Sequence, residues 1–459
     1  MSSSRGAHRA LAAATLGFFV ITLDALVISV VLPEIRDELG GDLRGLQWIM
    51  DGYTLPFAAL LLLSGALTDR LGARRVFGWG FTAFVVSSLG CGLAGTAWAL
   101  VLARVAQGMG AAMMMPASLA LIGQSHPTPS ERARAISLWA AGGAVASATG
   151  PLVGGALSLL SWRLIFLINL PVGLLALWLL RKVPASSRHA TPFDVWSQLS
   201  AVAALTGVTY ALIEAGEPRA LPLALASGVA VLGAMMFHLR ERKAPHPLIP
   251  SSLFQNRESS TTIQIGFTFM AAFFGMIFLM SLLLHDARGL DSFQTGLAFA
   301  PVTAASIVMP FLGARLGARF GAWLPITLGQ LSMAVGLFGL AIFARSASTP
   351  VLVGWMTPVG CGGGLAMPSA TALLLASVPK ERTGIASGVL NTSRQVGGAL
   401  AIAAFGALVA AHGTVLGTRL SLAIAGTLVT FTLLAGLWLH DPLRERRFRD
   451  RRARGRGLT

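Results

Sequence analysis

Gly110-Ala111-Ala112-Met113-Met114-Met115-Pro116-Ala117 returns 252 residues later as Gly362-Gly363-Gly364-Leu365-Ala366-Met367-Pro368-Ser369. Each block lies in an apolar run. Each is followed by a Glu-Arg pair, Glu131-Arg132 or Glu381-Arg382, and then by another apolar run. A second echo sets Gly65-Ala66-Leu67-Thr68-Asp69-Arg70-Leu71-Gly72 against Ala314-Arg315-Leu316-Gly317-Ala318-Arg319-Phe320-Gly321. The chain thus carries two related halves.

The runs around these blocks are long enough to cross a membrane. A span needs roughly 20 apolar residues. Such runs fall near 11–33, 46–67, 76–96, 98–122, 134–160, 163–181, 194–214, 220–239, 260–285, 294–314, 322–344, 351–378, 384–411 and 417–439. The repeated blocks are eight runs apart, so both copies face the same way. The expected fold is an all-α polytopic membrane protein of fourteen helices arranged six, two and six. Its parts are an N-terminal bundle (1–192), two additional helices (193–240), a C-terminal bundle (241–440) and a basic tail (441–459). Parallel repeats of this kind are a feature of secondary transporters.

Composition agrees. The chain is 54% hydrophobic and only 12% charged, whereas a soluble domain is nearer 25% charged. Cys91 and Cys361 both lie in apolar runs, too few and too far apart for a disulfide framework or metal site. The net charge of +16 does not indicate nucleic acid, because the basic residues sit in short loops and in the tail from Arg444 to Arg456. With the N-terminus inside, inward loops and tails carry 26 Lys/Arg and outward loops carry 7 (Arg36, Arg44, Arg163, Arg219, Arg288, Arg345 and Arg419). That bias follows the positive-inside rule and places both termini in the cytoplasm. The run from Leu11 to Pro33 is too long for the apolar core of a signal peptide and reads as the first span. Few lysines beside abundant arginine, alanine and glycine suggest a bacterial source, hence the inner membrane.

Several motifs carry a closer resemblance. Gly65-Ala66-Leu67-Thr68-Asp69-Arg70-Leu71-Gly72-Ala73-Arg74-Arg75 resembles the G-x-L-a-D-R-x-G-R-K signature of the major facilitator superfamily. Arg104-Val105-Ala106-Gln107-Gly108-Met109-Gly110 is similar to its R-x-x-Q-G-x-G motif. Gly150-Pro151-Leu152-Val153-Gly154-Gly155 resembles its antiporter motif, with Ala146 where the pattern usually has its first glycine. Leu23-Asp24 through Leu32-Pro33 resembles the first-span motif of the fourteen-span drug:proton antiporters, and Trp162-Arg163 with Phe166 to Pro171 adds a further match.

The resemblance implies a proton-coupled antiporter exporting drugs or antibiotics by alternating access. An exporter of an endogenous metabolite, lipid or amino acid is the alternative, followed by a proton symporter. No enzymatic activity is expected. No G-x-x-x-x-G-K-[ST] loop for ATP occurs, so the proton gradient replaces any cofactor. The expected partners are an amphipathic or cationic small molecule, protons and the bilayer, around a functional monomer.

Four ionisable residues stand inside the expected spans: Asp24, Asp51, Arg104 and Arg394. A charge there costs roughly 2.5–3.5 kcal/mol on insertion scales, so it needs a partner or a purpose. Asp24 and Arg104 differ in depth by roughly 5 Å, close enough to pair. Such a pair is either a static tie between spans or a proton site. Desolvation raises and a nearby arginine lowers the proton affinity of a carboxyl group. Asp24, Arg104 and Asp51 are the expected proton-coupling residues. Gly65, Asp69, Arg70, Gly72, Arg74 and Arg75 are read as an inner latch, one-sided because Ala318 replaces the aspartate. Gly150, Pro151, Gly154 and Gly155 are read as a bend and close-packing face. Gln107, Asn169, Asn391, Arg394 and Gln395 are candidates for the cargo cavity. Glu214, His285 and Asp286 read as interfacial, and the Phe267, Phe269, Met270, Phe273, Phe274, Met276 stripe as lipid contact or packing.

Overall fold

The computed structural model describes residues 2–439 apart from 41, 127, 185, 187–193, 216–219, 245–247, 250–251 and 379–382. The basic tail, Arg219 and the Glu381-Arg382 pair lie outside the described residues.

Among the described residues, fourteen long helical segments follow one another. They are α1 (Ser2–Leu39), α2 (Leu43–Leu71), α3 (Ala73–Gly92), α4 (Ala97–Ser125), α5 (Pro129–Ser158), α6 (Leu164–Arg181), α7 (Val195–Glu214), α8 (Ala220–Lys243), α9 (Arg257–Ala287), α10 (Ser292–Phe320), α11 (Trp323–Phe343), α12 (Thr349–Ala376), α13 (Thr383–His412) and α14 (Thr414–Leu439). Every one overlaps an apolar run. Polar residues mark many of the starts: Asp42, Thr96, Thr128, Asp194, Asn256 and Asp291 each accept a hydrogen bond from a first-turn N–H. These caps satisfy first-turn donors that the helix itself leaves open.

Among the described residues, twelve rods are long and apolar enough to cross a bilayer, and α2 makes a thirteenth if Leu43–Leu61 and Leu63–Leu71 are one span. α3 is not among these spans. It opens on Arg74 and Arg75, and glycine and serine dilute the rest of its 20 residues.

The repeated glycine block packs alike in both halves. A Cβ on Gly110 would meet the Gly80 carbonyl at 2.7 Å, and one on Gly362 would meet the Gly329 carbonyl at 2.4 Å. α4 therefore lies backbone to backbone on α3, and α12 on α11, which only glycine permits. The repeat read in the sequence is a repeat of helix contacts.

The halves meet through α1 with α9, α5 with α10, and α2 with α13. Described polar contacts between them cluster at the end away from the start of α1. Ser281 Oγ donates to the Ser29 carbonyl, Arg36 pairs with Asp286 at 2.8 Å, and Gln47 Nε2 donates to the Ala403 carbonyl at 2.8 Å. This far end is the closed one. α7 packs on α2 and on α13, and α8 packs chiefly on α7. The two additional helices thus lie along the α2–α13 seam.

Candidate functional site

Asp24 stands midway along α1 with its side chain wholly buried. Arg104 on α4, 1% exposed, reaches it with Nη1. The same Nη1 donates to Gln107 Oε1 at 2.8 Å, and Nε donates to the Ile49 carbonyl of α2 at 3.2 Å. Arg104 and Gln107 are three residues apart on α4 and so share a face. Gln107 Nε2 donates to Asp24 Oδ1 at 2.8 Å and to Ser88 Oγ of α3 at 2.8 Å. Asn169 Nδ2 of α6 donates to Asp24 Oδ1 at 3.0 Å and to Ser88 Oγ at 3.3 Å. The Arg104 guanidinium lies 4.3 Å from the centre of the Tyr53 ring, a favourable cation–π position in a desolvated site. Five helices of the first half therefore converge on one carboxylate.

Two buried opposite charges are costly to desolvate, and the cost is offset only when their remaining lone pairs and protons are bonded. Here both Asp24 oxygens and the Arg104 Nε and Nη1 are engaged. Gln107 and Asn169, expected on a cavity wall, are instead closed around Asp24. The physical reason is that a buried amide needs partners, and α1 supplies the strongest acceptor within reach. The sequence reading missed Ser88 and the Ile49 carbonyl. The Ser87-Ser88 pair in an otherwise apolar stretch was the available signal for the first; nothing in the sequence marks the second.

Asp51 is placed elsewhere. It is fully buried on α2, one turn along from Gln47, whose side chain meets α13. Its Oδ1 accepts from Thr54 Oγ1 at 3.1 Å, while Oδ2 has no hydrogen-bond partner. The structure does not bring it into the Asp24 network.

The α5 motif faces two ways. A Cβ on Gly154 would meet the Val27 carbonyl of α1 at 2.7 Å, and one on Gly155 the Ser292 carbonyl of α10 at 2.7 Å. Gly150 packs on Leu26, and the Pro151 carbonyl lies where a side chain on Gly296 would begin. α5 continues unbroken through Pro151, so the motif forms a close seam between halves at the far end.

At the opposite end, Gly72 turns the chain from α2 to α3 with φ of 91°, and Gly321 repeats that turn with φ of 89°. Side chains are strained there. Gly65 lies two turns before Gly72 on α2. Arg74 donates from Nη2 to the Arg181 carbonyl at 2.9 Å, tying the turn to α6. Asp69 in the last turn of α2 is engaged in a polar interaction, and Arg70 and Arg75 are exposed beside it.

In the second half, α13 packs Leu390, Gly397, Ala401 and Phe405 towards α9, and Ile402, Ala403 and Gly406 towards α2. Arg394 also packs towards α9, its Cγ 3.2 Å from where a Cβ on Gly266 would stand, Asn391 Nδ2 donates to the Ser387 carbonyl at 3.1 Å, and Gln395 follows on the same helix. All three are partly buried, and Arg394 Nε has no hydrogen-bond partner. Glu214, expected at an interface, is wholly buried and paired with Arg44 of α2.

The Major Facilitator Superfamily profile matches residues 14–402. The chain is 38% identical over 407 residues to the methylenomycin A resistance protein of Streptomyces coelicolor, covering 87% of this chain and 84% of that protein. It is 35% identical over 407 residues to the multidrug resistance protein Stp of Mycobacterium tuberculosis, covering 87% and 75%. Among solved structures, the xylose transporter XylE from E. coli superposes with a TM-score of 0.64 at 16% identity over 95% of this chain and 98% of that one, a likeness of fold. This chain is a multi-span transporter of the cell membrane, not an enzyme, and it belongs to the Major Facilitator Superfamily.

Proposed function

We propose that this transporter is a proton-coupled antiporter that exports drugs or antibiotics from bacterial cytoplasm across the inner membrane by alternating access. The carrying observation is the buried Asp24–Arg104–Gln107–Asn169–Ser88 network. Protonating Asp24 removes the one negative charge that holds these donors, leaves Arg104 cationic and unpaired, and so couples proton occupancy to the packing of α1, α4 and α6. Asp51, at the seam between halves with an open carboxylate oxygen, is the second proton site. Names of the relatives, which speak of methylenomycin A resistance and multidrug resistance, support the cargo class: an amphipathic or cationic small molecule.

In this reading the chain crosses the membrane fourteen times, six, two and six. α1 to α6 and α9 to α14 are the rocking halves, both termini are cytoplasmic, and a monomer is the working unit. The far end is then periplasmic, so the conformation described is closed to the outside. The Gly65–Arg75 loop latches the inner side when the halves rock the other way. Asn391, Arg394 and Gln395 lie on the cargo path.

A toxic-compound panel in an efflux-deficient bacterial host tests the export reading. Wild type raises tolerance to at least one compound and Asp24→Asn, expressed equally, does not. An unchanged panel for wild type contradicts drug export.

A further inference from the structure

A cavity of 620 Å³ opens between the additional hairpin and the second half. One wall is Ala58 and Ala59 of α2 with Gln198, Ala201 and Ala204 of α7; the other comes from α9, α13 and α14, including Phe267, Val389 and Thr392. Among the described residues its lining carries no charged side chain. Phe254 and Phe431 stand exposed at the rim, 51% and 67% accessible. The cavity lies off the Asp24 network. Its volume falls in the range of roughly 300–1,000 Å³ that holds small ligands.

Two lining groups lack partners. Gln198 is 3% exposed; its Nε2 donates to the Ala59 carbonyl, but its Oε1 accepts nothing. Thr392 Oγ1 is likewise without a partner. A buried acceptor left open is destabilising, so these groups call for a donor from an occupant. We propose that this cavity binds a neutral, largely apolar small molecule carrying at least one hydrogen-bond donor, taken up from the bilayer.

The chemistry selects among occupants. A phospholipid headgroup would need arginine, lysine or a cluster of N–H groups for its phosphate, and none lines the walls among the described residues. An acyl chain fits the walls and offers no donor to Gln198. The occupant also bridges moving parts. α7 is fastened to α2 by Glu214 with Arg44, by Tyr210 against Trp48, and by Gln198 on the Ala59 carbonyl. The hairpin therefore travels with the first half, while the opposite wall belongs to the second. A molecule lodged here touches both and opposes their relative motion. This site stands independently of proton coupling.

The test uses the full chain in lipid nanodiscs with two photoreactive probes, a diazirine-bearing long-chain alcohol and its methyl ether. The expected result is alcohol labelling of 195–214 and 385–412, with the ether labelling about ten-fold less, the effect of one hydrogen bond. Gln198→Leu brings the two probes level. Ala201→Phe fills the cavity and removes the labelling, and Ala58→Phe does so from the α2 wall should the first variant fold poorly. Equal labelling of wild type by alcohol and ether overturns the proposal, as does alcohol labelling that survives both filling variants.

Discussion

Asp24 meets Gln107 and Asn169 on one oxygen and Arg104 on the other. Such a site is stable only as a whole. Arg104→Leu strands a buried carboxylate, and uncompensated charges of this kind cost about 3–5 kcal/mol. Denaturant unfolding in detergent should show that loss for Arg104→Leu, and a smaller one for Asp24→Asn, which keeps the shape and removes the charge. Equal stability of Arg104→Leu and wild type contradicts the network as described. Asp24 and Arg104 were legible in the sequence because a charge inside an apolar run is conspicuous and their depths match. The roles of Gln107 and Asn169 were not, since amides in a span suit a cavity wall as well as a closed network. Only the packing of α4 and α6 against α1 decides between them.

The hairpin and α5 carry the predictions at the next scale. Glu214 is wholly buried, whereas Arg44 retains some access to water. Arg44→Leu should therefore destabilise more than Glu214→Leu, and the double variant should recover much of the loss; a thermal-melt double-mutant cycle reads this directly. Additive losses contradict a buried pair. On α5, Gly155→Leu must push α10 away, because even a Cβ there would meet the Ser292 carbonyl at 2.7 Å. Overpacking of this kind costs about 1–3 kcal/mol, and here it falls on the closed end. Cysteines placed along α5 and α10 at that end should become reactive to a membrane-impermeant maleimide in Gly155→Leu; unchanged protection argues against the seam. The α5 motif was readable as a close-packing face, but not which helices it would meet. Glu214 looked interfacial because it ends an apolar run, and its cover, Arg44, comes from a different helix.

Across the whole molecule, the two halves were legible because the repeat preserved backbone contacts: the Gly80–Gly110 approach recurs as Gly329–Gly362. The span count was less so, because α3 sits at the edge of what apolarity alone identifies. The orientation proposed from loop charge is checked by labelling single cysteines in intact cells. Arg75→Cys should be protected from an impermeant reagent and Arg345→Cys reactive, the reverse pattern contradicting cytoplasmic termini. Export coupled to proton entry through Asp24 is the central claim, and proteoliposomes with an imposed pH gradient test it most directly. Using a compound to which wild type confers tolerance, wild type should move it against its gradient only while the pH gradient persists, and Asp24→Asn should show no gradient-driven movement while still binding the compound. Undiminished pH-driven transport by Asp24→Asn would contradict the account.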